Sequence, residues 1–203
     1  FMGDTSTSAF PEVNVEQVPV DTNGKIFDDV DNTAWYYKYV LDLKANNIVN
    51  GDDKNRFNPN KNVTREEFVK MIIIAAGYEL VTGGKGFRDV KSSDWFSTYV
   101  YTAKANGIIN GITENQFGVN RAISRQDMSV IIKNIISVDV DISTNRDKFT
   151  DDTNISTYAY DAVYTMKALG IINGYETGDF NPNGQLTRAE AAKVISMVMD
   201  IIK

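Results

Sequence analysis

An internal repeat constrains the fold of this chain more than any single residue does, because one unit of about 60 residues occurs three times in tandem. The unit opens with the motifs FDDV, FRDV and FTDD, which begin at Phe27, Phe87 and Phe149. It continues with KANNIVNG, KANGIING and KALGIING and reaches VTREE, ISRQD and LTRAE, which begin at Val63, Ile123 and Leu186. A unit this small cannot bury an apolar face alone, so neighbouring units must pack together. The three units span residues 27–80, 87–140 and 149–203.

Each unit predicts two helices. In the first unit, apolar side chains recur at helical spacing over residues 34–46, and Asn47 is expected to end this helix in the left-handed conformation. The second helix is predicted to begin at a capping box formed by Thr64 and Glu67. We therefore predict an all-α fold, in which three tandem two-helix repeats form a pseudo-threefold helical bundle with long inter-helix loops, one cooperative domain over residues 27–203. The loop aromatics are expected in its core: Phe57, Phe117 and Phe180.

The remainder of the chain and its overall charge restrict the partners. Residues 1–26 lack helical periodicity and contain Pro11 and Pro19, so we predict a linker, with residues 1–3 interpreted as a cloning remnant. No apolar run reaches the roughly 18 residues of a membrane span, and no signal-peptide pattern is present, which predicts a soluble or already processed fragment. The net charge of −6 and pI near 4.7 disfavour nucleic acid and anionic membrane as partners, since both attract a basic face.

The absence of two residue types narrows the chemistry. The sequence contains no cysteine and no histidine, which excludes disulfides, thiolate nucleophiles, most zinc sites and the commonest general base. One loop offers Asp52, Asp53 and Asn55 to a calcium ion, but the equivalent loops do not repeat these groups, so no metal site is expected. An enzyme is disfavoured, and no cofactor is expected.

An arginine occupies the first predicted position of each second helix, where a cation faces the positive end of the helix dipole. One interpretation is a solvated or locally paired cation, since acidic residues follow closely. The other is an anion site, in which free N–H groups of the helix N-terminus and a guanidinium together bind a carboxylate. Repetition of a locally unfavourable choice favours the second. The three residues are Arg65, Arg125 and Arg188.

Three further sets of repeated residues are candidates for ligand binding, each with a structural alternative. The aromatic residues either fill the core of the first helix or stack on a sugar face; they are Trp35, Trp95 and, in the third unit, Tyr158. The Asn-Gly pairs either only form turns or also offer backbone N–H groups to ligand oxygens; they are Asn50-Gly51, Asn110-Gly111 and Asn173-Gly174. The aspartates of the opening motif either cap a loop or orient the arginine and accept sugar hydroxyls; they are Asp29, Asp89 and Asp151.

The ordered motifs FxDV, ANGIING, FxP and TRAE, repeated nearly throughout the chain after residue 26, resemble the S-layer homology domain family. The resemblance implies a helical trimer of repeats displayed outside the cell, at the cell wall or S-layer of a Gram-positive-type bacterium. It also implies binding of secondary cell-wall polysaccharide, often through a pyruvate-ketal-bearing sugar, in grooves between adjacent repeats. The arginine of the TRAE motif, the family's binding residue, corresponds to Arg65, Arg125 and Arg188.

We therefore predict a non-catalytic anchoring module that binds an anionic, pyruvylated secondary cell-wall polysaccharide in arginine-lined grooves and is fused to an unknown cargo or S-layer protein. The alternative is a surface protein–protein interaction scaffold that uses the same grooves, and a glycan-processing enzyme is the weakest hypothesis. The copies also differ: Tyr158 replaces tryptophan in the third unit, while Val119 replaces proline and Asp127 replaces glutamate in the second. These departures predict that the three grooves are not equally competent.

Overall fold

A computed structural model describes residues 25–84, 86–136, 138, 140–142 and 147–202, so the linker predicted for residues 1–26 lies almost entirely outside the described residues. Within these ranges the chain forms two α-helices per unit and isolated β-bridges, which confirms the all-α prediction. None of the described helices has the length and apolar character needed to cross a bilayer. The helices are α1 (Tyr37–Ala45), α2 (Arg65–Ala75), α3 (Ser97–Ala105), α4 (Arg125–Ile136), α5 (Tyr160–Ala168) and α6 (Arg188–Ile202).

The helices pack between repeats in a cyclic order. Each first helix lies against the second helix of the preceding repeat, so that α3 packs on α2 and α5 packs on α4. The order closes because α1, from the first repeat, packs on α6 from the third. Helix α6 also contacts α2 and α4. The apolar stripes of the second helices are thereby buried by neighbouring repeats, as the pseudo-threefold bundle requires.

A ring of backbone hydrogen bonds marks the centre of the bundle, just before the second helices begin. The N–H of Val63 donates to the carbonyl of Leu186 at 2.9 Å, and the N–H of Ile123 donates to the carbonyl of Val63 at 3.1 Å. The N–H of Leu186 closes the ring on the carbonyl of Ile123 at 3.3 Å. All three side chains are fully buried. We call this feature the backbone ring; it holds each repeat to both of the others.

The first helix ends as predicted but begins later. Asn47 has a positive φ of 58°, and the next N–H, of Ile48, returns to the carbonyl of Leu43, which is the bond pattern of a Schellman cap. The predicted start at residue 34 is wrong, because residues 34–36 form a tighter turn in which the N–H of Tyr37 bonds to the carbonyl of Ala34. Trp35 therefore lies before α1 rather than on its buried face.

Each long loop is anchored in the core by a pair of phenylalanines, which confirms the predicted burial of the loop aromatics. The ring of Phe57 lies 5.8 Å from that of Phe27, with the same pairing in the other repeats. Close packing of this pair explains the glycine after each loop asparagine. Gly51 has a φ of +79°, and a Cβ there would lie 2.6 Å from the Phe27 ring. Gly111 and Gly174 are equivalent, so the Asn-Gly pairs are turns required by the fold.

Candidate functional site

The three arginines cross from one repeat into the next. Each side chain leaves the first turn of a second helix and donates its Nε–H to the carbonyl of the loop phenylalanine of the following repeat. The bonds are Arg65 to Phe117 at 3.0 Å, Arg125 to Phe180 at 2.8 Å and Arg188 to Phe57 at 2.8 Å. Each guanidinium also lies about 5 Å from the ring of the same phenylalanine. The side chains are only 6%, 10% and 14% exposed, so they are not solvated cations; each is instead a paired cation, the other form of the first interpretation.

The helix N-termini are not free to bind an anion, contrary to the second interpretation. The N–H of Arg65 donates to the carbonyl of Arg121, a residue of the next repeat, at 2.8 Å. Arg125 and Arg188 do the same, to the carbonyls of Gly184 and Lys61. The local sequence pattern predicts unpaired donors, but the adjacent loop supplies their acceptors. The first N–H group of each second helix is therefore not available to an anion.

Each guanidinium faces a carboxylate at the third position of the neighbouring second helix. The Nη1–oxygen distances are 3.2 Å for Arg65 and Asp127, 3.7 Å for Arg125 and Glu190, and 3.5 Å for Arg188 and Glu67. The two glutamates also accept the N–H of the N-cap threonine, as the capping box predicts. Asp127 is one methylene shorter, and its carboxylate bonds instead to Arg65 and to the hydroxyl of Tyr158.

Burial alters the titration of the groups around these pairs. It lowers the pKa of Arg65 and of Arg188, while the charges of Asp127 and Glu67 oppose that shift. An arginine nevertheless stays protonated at any physiological pH. Burial, together with the hydrogen bond to Asp127, raises the pKa of Tyr158 well above its usual value, so its hydroxyl remains a donor. Arg65 and Arg188 therefore keep their charge despite their burial.

The aspartates of the opening motif hold the loops that receive the arginines. Asp29 accepts the N–H groups of Phe57 and Asn58, both at 2.7 Å. Asp89 and Asp151 accept the equivalent N–H groups in the other repeats. Because the carbonyl of the same phenylalanine accepts the arginine, each aspartate orients its arginine indirectly. A contact with sugar hydroxyls stays a prediction.

The aromatic residues before the first helices are exposed, so the core-packing interpretation is wrong for them. Trp35 is 57% exposed, Trp95 is 56% exposed and Tyr158 is 62% exposed. Large aromatic side chains left this accessible in three equivalent places are typical of a binding surface rather than of a core. Because these side chains are mostly exposed, they contribute less to the packing of the fold than the buried arginines do.

Two clefts bring these residues together, and each is lined by residues of all three repeats. The Arg125 groove, a cleft of about 300 Å³, is lined by Trp35, Arg125, Gly174, Glu190 and Lys193. The Arg65 groove, of about 520 Å³, is lined by Arg65, Gly111, Asp127, Val130 and Tyr158. At the third arginine, Arg188 faces Glu67, and Lys70, on the same helix as Glu67, places its ammonium 5.5 Å from the Trp95 ring. By the symmetry of the repeats, we assign these residues and the Asn50-Gly51 turn to a third site, the Arg188 groove.

Sequence reasoning missed two features of the grooves. Their walls come from three repeats rather than from an adjacent pair, because the aromatic residue belongs to the repeat after next. It also missed the residue five positions after each arginine, which is Lys70, Val130 or Lys193. The repeat contained the signal, since aligning the three TRAE-type motifs places these residues in one column.

Comparison with known proteins agrees with this architecture. A sequence profile of the S-layer homology domain matches residues 26–69, 86–129 and 148–192. The chain belongs to the S-layer homology domain family. Each of the three matches spans one opening motif, one first helix and the start of one second helix, and this confirms the three-repeat assignment.

Relatives of this S-layer homology chain include both enzymes and surface-layer proteins. It is 29% identical over 88% of its length to an endoglucanase of Bacillus sp. (strain KSM-635) and 32% identical over 94% to an amylopullulanase of Thermoanaerobacterium thermosulfurigenes. It is 25% identical over 90% to the surface-layer 125 kDa protein of Lysinibacillus sphaericus. The matches cover only 19%, 10% and 16% of those proteins.

Family membership and the surface-layer relatives identify the chain as a cell-wall anchoring module and confirm the predicted location at the cell wall or S-layer of a Gram-positive-type bacterium. Because the same module occurs in proteins named as enzymes and in S-layer proteins, the module itself is the shared part. Its partner is the cell wall.

Proposed function

We propose that this S-layer homology module holds a larger protein on the cell wall by binding an anionic, pyruvylated secondary cell-wall polysaccharide in the arginine-lined grooves. The larger protein is a fused enzyme or S-layer component, since the relatives that share the module are of both kinds. The proposed ligand residues include the three groove arginines, the exposed aromatic residues and the Asn-Gly turns. The opening-motif aspartates contribute indirectly, since they hold in place the loops that bind the arginines.

One observation carries the proposal: a half-exposed tryptophan stands beside fixed cations in a cleft. Trp35 shares its groove with Arg125 and Lys193, and Trp95 lies beside Lys70 in the Arg188 groove. An aromatic face packs against the apolar face of a pyranose ring, while guanidinium and ammonium groups bind a carboxylate on the same sugar. An acidic sugar has both features, and an uncharged one lacks the second.

The groove carboxylates are already engaged in structural bonds, which favours binding over catalysis. Glu67 and Glu190 each bond to a helix N-cap and face an arginine, so neither is placed as a free acid or base. Affinity would come from avidity. Grooves on one rigid bundle that engage one polymer gain effective concentration without further contacts, provided that the polymer reaches them together.

The test is sedimentation with purified cell wall, before and after extraction of its secondary polymer. Replacing the buried arginines would disturb the fold, so the informative variant is Trp35→Ala/Trp95→Ala, which changes exposed side chains. Leu80→Ala, an exposed apolar residue outside both described clefts, is the matched control. We expect wild type and the control to sediment with intact wall only, and the double variant to remain in solution.

Other outcomes identify the alternatives. Undiminished sedimentation of the folded double variant would refute the groove mechanism. Sedimentation that survives extraction of the polymer would indicate a protein partner, as the scaffold hypothesis predicts, and release of reducing sugar from the wall would indicate an enzyme.

A further inference from the structure

The three grooves share one backbone plan but differ in charge and in hydrogen bonding. We infer that the acidic sugar binds in the Arg125 and Arg188 grooves and that the Arg65 groove does not accept its carboxylate. The inference rests on the proposed function and goes beyond it, since it specifies which grooves carry the binding.

The first difference is the number of cations. The Arg125 groove contains Arg125 and Lys193 against one carboxylate, Glu190. At Arg188 the equivalent lysine is Lys70, which lies over the Trp95 ring. Asp29 and Asp52 also act on the charge of Arg188 besides Glu67, but Asp29 is bonded to backbone N–H groups and Asp52 is paired with Arg56. In the Arg65 groove the equivalent position is Val130, so the lining holds one cation and one carboxylate. A bound carboxylate thus completes a balanced set in the Arg125 groove and adds an unbalanced negative charge in the Arg65 groove, which is unfavourable in a partly dehydrated cleft. The Arg188 groove resembles the Arg125 groove in having a lysine five positions after its arginine's partner helix begins.

Arg121 is a further cation whose charge acts on Arg65, and it helps to lower the pKa of Arg65. It is exposed and lies outside the lining of the cleft. Water and salt screen an exposed charge of this kind, so it does not replace the missing lysine.

The second difference is how far each guanidinium is already committed. Arg65 donates to Phe117 and forms a 3.2 Å hydrogen bond with Asp127. The other arginines stand 3.7 Å and 3.5 Å from Glu190 and Glu67, longer than a good hydrogen bond. Capping explains the contrast: each glutamate uses one oxygen on its N-cap threonine, whereas Asp127 is too short to reach its N-cap and turns to Arg65. A ligand carboxylate can therefore bind Arg125 or Arg188 without breaking such a bond.

The third difference is the aromatic residue. Trp35 and Trp95, assigned to the Arg125 and Arg188 grooves, are more than half exposed, and Trp95 has the ammonium of Lys70 over its ring. Tyr158 donates its hydroxyl to Asp127 at 2.7 Å, which ties the rim of the Arg65 groove to its own carboxylate. The carboxylate of Asp127 thus accepts hydrogen bonds from both Arg65 and Tyr158. The Arg65 cleft is the larger of the two described clefts, so charge and bonding, not space, separate them.

Amide NMR of the unmodified chain tests this directly, because one loop glycine reports on each groove: Gly174 for Arg125, Gly51 for Arg188 and Gly111 for Arg65. The probe is the methyl glycoside of a hexopyranose that carries a pyruvate ketal, and the control is the same glycoside without the ketal. We expect saturable shifts of Gly174 and Gly51 with the ketal only, and a shift of Gly111 less than a tenth as large.

The outcomes separate the two proposals. Shifts at all three glycines with similar affinity, or at Gly111 alone, would overturn the inference and leave the proposed function standing. Equal shifts with the sugar that lacks the ketal would overturn the role of the carboxylate. Saturable shifts at none of the three would overturn the proposed function and the inference with it.

A gain-of-binding variant supplies the converse test. Val130→Lys/Tyr158→Trp introduces into the Arg65 groove the two side chains that the other grooves have. We expect the Gly111 shift to rise at least fivefold, with a single cooperative thermal transition as evidence of folding. Val130→Leu/Tyr158→Phe, which adds no cation, is the matched control. A folded double variant with no added Gly111 shift would contradict the charge argument.

Discussion

The Arg125 groove and the Arg65 groove are built on the same backbone, yet their arginines have different amounts of freedom. In both, the Nε–H group binds a loop carbonyl of the next repeat and the guanidinium lies over a buried phenylalanine. Only Arg65 adds a short hydrogen bond to a carboxylate. The comparison teaches that these arginines join repeats wherever they occur. Threefold repetition of the arginine is therefore explained by the fold, and ligand binding must be argued from the residues around it.

The largest expected effect is on stability. Arg65→Ala removes a buried cation together with its hydrogen bond to Phe117, and it leaves Asp127 without its ion-pair partner. Breaking such a pair lowers the free energy of unfolding by about 3 kcal/mol. Arg125→Ala should lower it less, because its ion pair is longer. Urea unfolding measures both, and the exposed Arg121→Ala is the control, expected within about 0.5 kcal/mol of wild type. Equal losses of unfolding free energy in Arg65→Ala and Arg125→Ala would contradict the argument that Arg65 is bonded more strongly to its carboxylate.

The next effect separates affinity from stability. Trp35→Ala removes an exposed face from the Arg125 groove, and we expect wall affinity to fall by about 1 kcal/mol, roughly fivefold, with stability unchanged. Tyr158→Ala removes a hydroxyl that bonds Asp127, and we expect the reverse: unchanged wall affinity and a loss of about 1 kcal/mol in stability. Sedimentation isotherms and urea unfolding give the two quantities. A loss of wall affinity in Tyr158→Ala would indicate that the Arg65 groove does bind the ligand.

Salt should weaken wall binding several-fold between about 50 and 500 mM, because the proposed ion pairs are partly exposed. Lys193→Gln removes one of these charges and should flatten the salt dependence, whereas Lys91→Gln, at an exposed loop position, should not. Binding should change little between about pH 5 and 8, since the chain has no histidine. Identical salt slopes for the two lysine variants would remove Lys193 from the site.

The smallest effect concerns acid. Burial raises the pKa of Asp89, but hydrogen bonds from the N–H groups of Phe117, Gly118 and Val119 outweigh it and leave the pKa below its usual value. A lowered pKa means that Asp89 stabilises the fold above the unfolded value near 4, and that this contribution is lost as pH falls through the lower folded value. Asp89→Asn should therefore lose less stability than wild type between pH 7 and 3. A steeper loss would reverse the sign of the argument.

Much of the fold could be predicted from the sequence because it follows from local rules applied three times. The capping box at Thr64, the helix end at Asn47 and the buried Phe57 all depend on short-range geometry and appear as predicted. The exposure of Trp35 was missed because α1 begins a few residues later than the apolar periodicity indicates, a difference that moves a side chain off the buried face.

The candidate site was less predictable because its contacts join distant parts of the chain. The position of Arg65 is visible in the sequence, but its partner Asp127 lies 62 residues away in the next repeat. The acceptors that occupy the helix N-termini are likewise supplied by adjacent repeats. The place of Lys193 in the Arg125 groove could not be predicted, because Trp35 lies in the first repeat and Lys193 in the third. The two residues line one cleft only because α1 packs on α6.

The closing contact between α1 and α6 also has a consequence for how the module is made. The hydroxyl of Ser196 on α6 donates a hydrogen bond to Asp42 on α1, 154 residues away in the sequence. Helix α1 of the first repeat is therefore covered only when the third repeat is present. Contacts this distant form slowly, and a chain that has emerged only through its second repeat still exposes apolar surface. Because each described cleft is lined by all three repeats, the wall binding proposed above requires a chain in which the third repeat has already been made.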